Sequence, residues 1–353
     1  MKKMGLKMVT VALVLLMAVS VLLTGCGTTA PAASTAPETS ESTAPAADDG
    51  GAAESKAPSS EGGKTIAFSL KTITNDDFQK AIADSIQKAV EDSGNTFELV
   101  TAGDQTNVAN QVKQIEDLIA KKVDALIVSP MDANAVIPAL EKAKAAGIPV
   151  VLVDQTIEDG HEDLYVTYIG TDNTNAGKEA GKKVAEWLGN KGNVLIVRGA
   201  NGSSAGDQRV DGFKQGLEGT DIVVAGEQAG DWKNDKAMQV TENMLQANSD
   251  VQAIFTASDG MLDGILQALQ NAGKTDVKIM SVDGSKKAVE MIEAGDVTGT
   301  MAQFPQIMGG KAVETLLGVI DGSIDPDSVE KYIDSGTAAY TQDNLDEAKE
   351  SAF

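Results

Sequence analysis

From Thr65 onward, short apolar runs alternate with stretches of helical periodicity, and this alternation constrains the fold more than any other feature of the chain. TIAFSL reads as a strand, and Phe78, Ile82, Ile86 and Val90 then share one helix face. FELVTA, a helix through Val108, Val112, Ile115 and Ile119, DALIVS, a helix closed by Gly147, and IPVVLVD continue the pattern. After Thr171 it resumes, with helices over 175–188, 206–217 and 238–245 separated by the strands NVLIVR and IVVAGE. AIFTAS, a helix in GMLDGILQALQNAG, VKIMSVD, the helix SKKAVEMIEAG, the strand TGTMAQF and a helix over 308–320 follow, and one strand over 332–340 closes the chain. Continuously apolar strands alternating with amphipathic helices imply parallel sheets covered on both faces, with right-handed crossovers. Two segments also resemble each other: VDALIVSPMDANAVIPALEKAKAAGIPVVLVD (123–154) and VQAIFTASDGMLDGILQALQNAGKTDVKIMSVD (251–283). The expectation is an α/β protein of two doubly wound, Rossmann-like lobes. Asp154 and Asp283 would lie at carboxyl ends of strands, where open α/β sheets bind ligands; capping the helix that follows is the lesser alternative for each.

The start of the chain has a different character. Lys2, Lys3 and Lys7 precede an apolar run from Met8 to Leu23, too short for a comfortable membrane span and suited to a secretory signal. It ends in Leu23-Thr24-Gly25-Cys26, which resembles the lipobox of bacterial lipoproteins. That resemblance implies a signal peptide over 1–25 and a lipidated Cys26 at the mature N-terminus, on the extracytoplasmic face of a cell membrane. Several acyl chains on one cysteine would hold the protein there stably. Residues 26–63 are Ala, Ser, Thr, Pro, Glu and Gly with almost no large apolar side chain, the composition of a disordered tether.

Composition excludes several activities. With 29 Lys and Arg against 52 Asp and Glu, the chain would be repelled by nucleic acid and anionic lipid, so its only expected membrane contact is the lipid anchor. A single histidine, His161, and a single cysteine, Cys26, leave no multi-histidine metal site and no internal disulfide. Neither metal nor cofactor is expected. Gly202-Ser203-Ser204-Ala205-Gly206 matches the G-x-S-x-G nucleophile elbow, but His161 precedes Ser204 where a hydrolase of that fold places its His after the Ser. The loop reads as a binding element, and no enzyme is expected.

TIAFSLKTITNDDF, DALIVSPMDANAV, IPVVLVDQ, IGTDN, GSSAGDQRVDGF, GDWKNDKA, QAIFTASDGM, SVDGS and MAQFPQIMG, in this order, resemble the type I periplasmic sugar-binding proteins of the ribose-binding kind over nearly all of the chain from Lys64. The resemblance implies two lobes, 64–171 plus 304–333 and 172–303 plus 334–353, joined by a three-segment hinge near Thr171, Gln303–Phe304 and Ile333–Ser335. It implies closure on a ligand and delivery to the permease subunits of an ABC transporter, by a monomer. A sensor presenting its closed, sugar-bound form to a receptor kinase or chemoreceptor is the alternative.

By the same resemblance Asn75 takes the place of a ligand-binding Asn and Phe78 that of a stacking aromatic, with Asp77 where a second aromatic is common. Asp154 matches the pocket aspartate, followed by Gln155 where ribose binders commonly carry Arg. Arg209 matches the pocket arginine, Trp232 a stacking aromatic, Ser258 a position frequently Asn, and Asp283 and Gln303 the last polar contacts. Asn75 also suits a helix N-cap, and Phe78 and Trp232 also suit core packing. Carboxylates accepting from vicinal hydroxyls, an arginine fork and aromatic faces together suit a neutral monosaccharide or polyol.

Overall fold

The structure, a computed structural model, describes residues 63–353. The signal peptide, Cys26 and the tether expected over 1–63 lie outside the described residues, Gly63 apart. Two six-stranded sheets form. The first has the order β11-β5-β4-β3-β1-β2, with β1 (Thr65–Leu70), β2 (Thr96–Thr101), β3 (Ala125–Val128), β4 (Val150–Val153), β5 (Thr167–Gly170) and β11 (Tyr332–Asp334) all parallel. The second has the order β12-β10-β9-β8-β6-β7, with β6 (Lys191–Arg198), β7 (Asp221–Ala229), β8 (Ala253–Thr256), β9 (Lys278–Asp283), β10 (Gly299–Ala302) and β12 (Ala338–Thr341). Only β12 runs antiparallel there. The central strands β3, β4 and β8 are buried along their whole length, as a sheet covered by helices on both faces requires.

Helices α1 (Asp77–Asp92), α2 (Val108–Lys121) and α3 (Ile137–Ala145) belong to the first lobe. The second holds α4 (Asn173–Leu188), α5 (Ser204–Gly216), α6 (Asn234–Ala247), α7 (Leu262–Asn271) and α8 (Lys286–Ala294). The two similar sequence segments become β3-α3-β4 and β8-α7-β9, which occupy equivalent places in the two sheets. Helix α9 (Pro305–Asp321) returns to the first lobe, where Met308, Ala312, Val313 and Leu316 join Ile82, Ile86 and Phe68 in one core cluster. The chain therefore passes between the sheets three times, at 171–172, 303–304 and 335–337. Thr171 Oγ1 lies 3.3 Å from Ser335 Oγ, so two of the crossings touch.

Two sequence expectations need correction. The single closing strand over 332–340 is two strands in different sheets, because the chain leaves the first sheet after Asp334 and turns at Gly336, whose φ of +87° suits glycine. A further helix, α10 (Leu345–Ser351), then packs Ala348 against Val289 and Tyr340 of the second lobe.

Glycines bring α4 and α5 together. A Cβ built on Gly177 would lie 2.1 Å from Arg209 O, and one on Gly212 the same distance from Thr174 O. The two helices thus pack backbone to backbone, which fixes where Arg209 enters the space between the lobes.

Candidate binding site

The carboxyl ends of both sheets face a common cleft. Asp154 follows β4 and Asp283 ends β9, and neither caps a helix. The cap of α8 is Ser285, and the cap of α1 is Asp76, which accepts from Gln79 N at 3.0 Å, so Asn75 does not serve that purpose. Backbone strain concentrates here. Asn75 (φ +56°), Asp154 (+66°), Asp231 (+54°), Trp232 (+62°) and Asp283 (+138°) all hold positive φ, a conformation non-glycine residues keep mainly where surrounding structure enforces it.

Asp154, Gln155, Arg209, Trp232, Ser258, Asp283 and Phe78 line one inner cavity of about 20 Å3, together with Lys71, Asp76, Gln79 and Ala205. It adjoins a mouth cavity of about 620 Å3 that shares Asp76, Phe78, Trp232, Ser258 and Asp283. The inner space is too small for a monosaccharide, whereas the mouth has the size of a small-molecule site. Asn75 and Asp77 are exposed and line the mouth only. Gln303 is buried and lines neither cavity; its Nε2 donates to Asp283 Oδ1 at 2.8 Å. A groove of about 960 Å3 near Ile148, Tyr165 and Ile320 is larger still but holds none of these polar groups.

The two aspartates are treated differently by their surroundings. Asp283 is saturated. Its Oδ2 accepts from Ser258 Oγ (2.7 Å) and Asp259 N (3.0 Å), and its Oδ1 takes Gln303 Nε2 and lies 3.5 Å from Arg209 Nη1. Arg209, 3% exposed, also donates from Nε to Asn173 Oδ1 and from Nη1 to Ala257 O, both at 2.7 Å. Burial pushes the Asp283 carboxyl up to about 7; Arg209 pulls it down and the charge of Asp259 pushes it further up. Asp259 itself is raised by burial, although Ser281, Ser285 and Thr300 all bond to it. Asp154 instead accepts only at Oδ2, from Gln79 Nε2 (2.7 Å) and Ser129 Oγ (3.2 Å), leaving Oδ1 without a protein donor among the described residues.

Sequence reasoning missed Lys71, Asp76 and Gln79. Lys71, 6% exposed, lies 3.3 Å from Asp76 Oδ2, with its ammonium 4.8 Å from the centroid of the Trp232 ring. Trp232 does two things at once: its ring joins the apolar core of the second lobe, closing over Gly199 where a Cβ would come within 2.0 Å, and it lines both cavities.

The lobes are closed on each other. Ser203 Oγ donates to Gln155 Oε1 at 2.6 Å, Thr156 N to Ser204 Oγ at 3.0 Å, and Ala133 N to Gly202 O at 3.1 Å. The G-x-S-x-G segment is thus a clasp between lobes, and the Ser204 hydroxyl is occupied as an acceptor. Lys233 pairs with Asp104 across the mouth at 3.1 Å. Beyond α10, Phe353 sets its ring edge-on to Phe78, centroids 5.6 Å apart, while its carbonyl accepts from Lys286 N at 3.1 Å.

The chain resembles known proteins in sequence and fold. The periplasmic binding protein domain family matches residues 66–324. The ribose import binding protein of Escherichia coli (strain K12) is 34% identical over 258 residues, covering 73% of this chain and 85% of its own length. The xylitol-binding protein of Mycolicibacterium smegmatis is 32% identical over 258 residues, covering 72% of each chain. The crystal structure of an ABC transporter solute-binding protein from Agrobacterium vitis with bound D-fucose superposes with a TM-score of 0.77 at 29% identity, covering 82% of this chain and 100% of that one. Two parallel α/β sheets whose strand ends share a strained, polar cleft, with these likenesses over most of the length, place the chain in the periplasmic binding protein family, among the type I sugar-binding proteins of ABC importers, which bind a substrate without transforming it.

Proposed function

We propose that this protein captures a neutral monosaccharide or polyol by closing its two lobes and hands it to the permease of an ABC importer. The observation that carries this reading is the shared lining of one cavity by Asp154 and Asp283 from opposite lobes, with Arg209 beside Asp283. The inner lining holds three carboxylates, Asp76, Asp154 and Asp283, against two cations, Lys71 and Arg209. Lys71 is committed to Asp76 and Arg209 to Asp283, which leaves Asp154 as the one unpaired charge of this lining; it disfavours an anion, and its oxygens suit hydroxyl donors. Closure turns residues 64–171 plus 304–333 against 172–303 plus 334–353 about the three crossings.

Because only the folded protein binds, the right ligand stabilises it by RT ln(1 + [L]/Kd), about 2.7 kcal/mol at a hundredfold excess over Kd. For a folded region of this size that is a rise in Tm of about 4 °C. A thermal-shift panel of D-ribose, D-allose, D-fucose, xylitol and myo-inositol is expected to contain at least one such ligand. A panel in which only amino acids or nucleosides shift the transition would remove the sugar reading.

The lipobox-like Leu23-Thr24-Gly25-Cys26 supports anchoring through a lipid on Cys26 at the extracytoplasmic side of the membrane. Metabolic labelling with palmitate is expected to mark the protein and to be lost in Cys26→Ser. A labelled Cys26→Ser variant would contradict the anchor while leaving sugar binding untouched.

A further inference from the structure

We propose that Gln79 is a specificity-determining residue, whose side-chain oxygen accepts a hydrogen bond from one hydroxyl of the bound sugar. The inference rests on the proposed function and adds a contact to it. Gln79 is fully buried (0% exposed) and sits in the first turn of α1, on the face that Ile82, Ala83 and Ile86 turn toward the core. It lines the inner cavity beside Asp154. Its amide orientation follows from chemistry. A carboxylate only accepts, so the group 2.7 Å from Asp154 Oδ2 is the amide nitrogen, and Oε1 points away from that oxygen. Oε1 is buried and has no hydrogen-bond partner.

A buried amide oxygen left without a donor costs free energy, and such groups are nearly always satisfied. The neighbouring groups cannot satisfy it. Asp154 offers only acceptors, and Ser129 spends its hydroxyl proton on Asp154 Oδ2. Lys71, the one cation of the same lobe among the cavity residues, sets its ammonium between Asp76 and the Trp232 ring and makes no hydrogen bond to Oε1. The first lobe therefore presents two adjacent open acceptors, Gln79 Oε1 and Asp154 Oδ1, and no free donor between them. A sugar seated in the mouth reaches these acceptors only with hydroxyls that project into the inner cavity, and two neighbouring hydroxyls, each donating, fit them. The second lobe differs, since Arg209 brings donors to the saturated Asp283. The sugar is thus held as a donor on one side and largely as an acceptor on the other, which fixes its orientation.

The test is calorimetric. Wild type and Gln79→Met are titrated with D-ribose, D-allose, D-fucose, xylitol and myo-inositol, and then with the monodeoxy analogues of whichever binds wild type most tightly. In wild type, one analogue is expected to bind about tenfold more weakly than its parent, the effect of one hydrogen bond to a buried acceptor. Gln79→Met is expected to lose about tenfold on the parent and to bind parent and that analogue equally. If Gln79→Met weakens the parent and every deoxy analogue by the same factor, Gln79 acts only by holding Asp154 and the proposal is overturned; unchanged affinities overturn it too. Should circular dichroism show Gln79→Met unfolded, Gln79→Ala takes the same comparison with the same two readings. Wild type that binds none of these polyols would instead overturn the proposed function, and this inference with it.

Discussion

Replacing Arg209 by Met is expected to weaken ligand binding at least thirtyfold, measured by titration calorimetry. Arg209 is nearly sealed from solvent and connects three elements: the start of α4 through Asn173, the end of β8 through Ala257 O, and the end of β9 through Asp283. Removing it leaves a buried carboxylate facing no cation. Truncating one side of a buried, hydrogen-bonded charge pair typically costs about 2–5 kcal/mol, much of it the cost of the charge left behind. The same substitution is expected to lower stability toward urea, because Asn173 Oδ1 and Ala257 O lose their donor in the free protein as well. Arg209→Lys should not restore affinity, since an ammonium cannot serve three partners in a planar fork. Near wild-type binding by Arg209→Met would show that Arg209 only props the lobe.

The affinity should also fall as pH drops from 8 to 6, by about tenfold. Burial holds the free Asp283 carboxyl near 7, so below that pH it carries a proton. The ionised carboxylate is what holds the Arg209 fork in place to donate to a sugar oxygen, so binding at pH 6 must expel that proton, and each unit below the carboxyl's own value costs up to tenfold. The stability of the unliganded protein runs the other way. The folded value lies above the unfolded one of about 3.9, so Asp283 favours folding below the unfolded value and loses that contribution as pH rises through about 7. Asp259, also raised, adds in the same direction. Carboxylates held low, such as Asp104 and Asp163, titrate far below this window and leave it flat. Calorimetry at pH 6 and 8 in buffers of different ionisation heat should detect proton release at pH 6 in wild type and none in Asp283→Asn. Equal affinities and no proton release at pH 6 would refute the role given to Asp283.

Much of the fold was legible because its signals are periodic. Ile82, Ile86 and Val90 on one face, and strands such as ALIV and VVLV buried at every position, announce covered parallel sheets in the order of the chain. Asp154 and Asp283 were legible because each ends an apolar run. What was illegible broke the period without announcing why. Lys71 follows TIAFSL and looks like the first solvated residue after a strand, yet it turns into the cleft against Asp76. Gln79 is the instructive case: it stands three, four and seven residues before Ile82, Ala83 and Ile86, a polar group at a position the periodicity reserves for the core. A polar residue on an apolar face was the available signal. Helix α10 escaped because LDEAKES is polar and only seven residues long, and its one buried side chain is Ala348. Whether Asn75, Asp76 or Asp77 points inward depends on a turn with positive φ, which no periodicity reports.

The placement of Phe353 at the cleft mouth has a practical consequence. Whatever is attached at that ring stands beside Phe78, at the door through which a ligand passes. A bulky group there would crowd that opening. For the same reason an environment-sensitive dye attached in place of Phe353 would sit where the two halves meet, turning the protein into an optical reporter of its own closing.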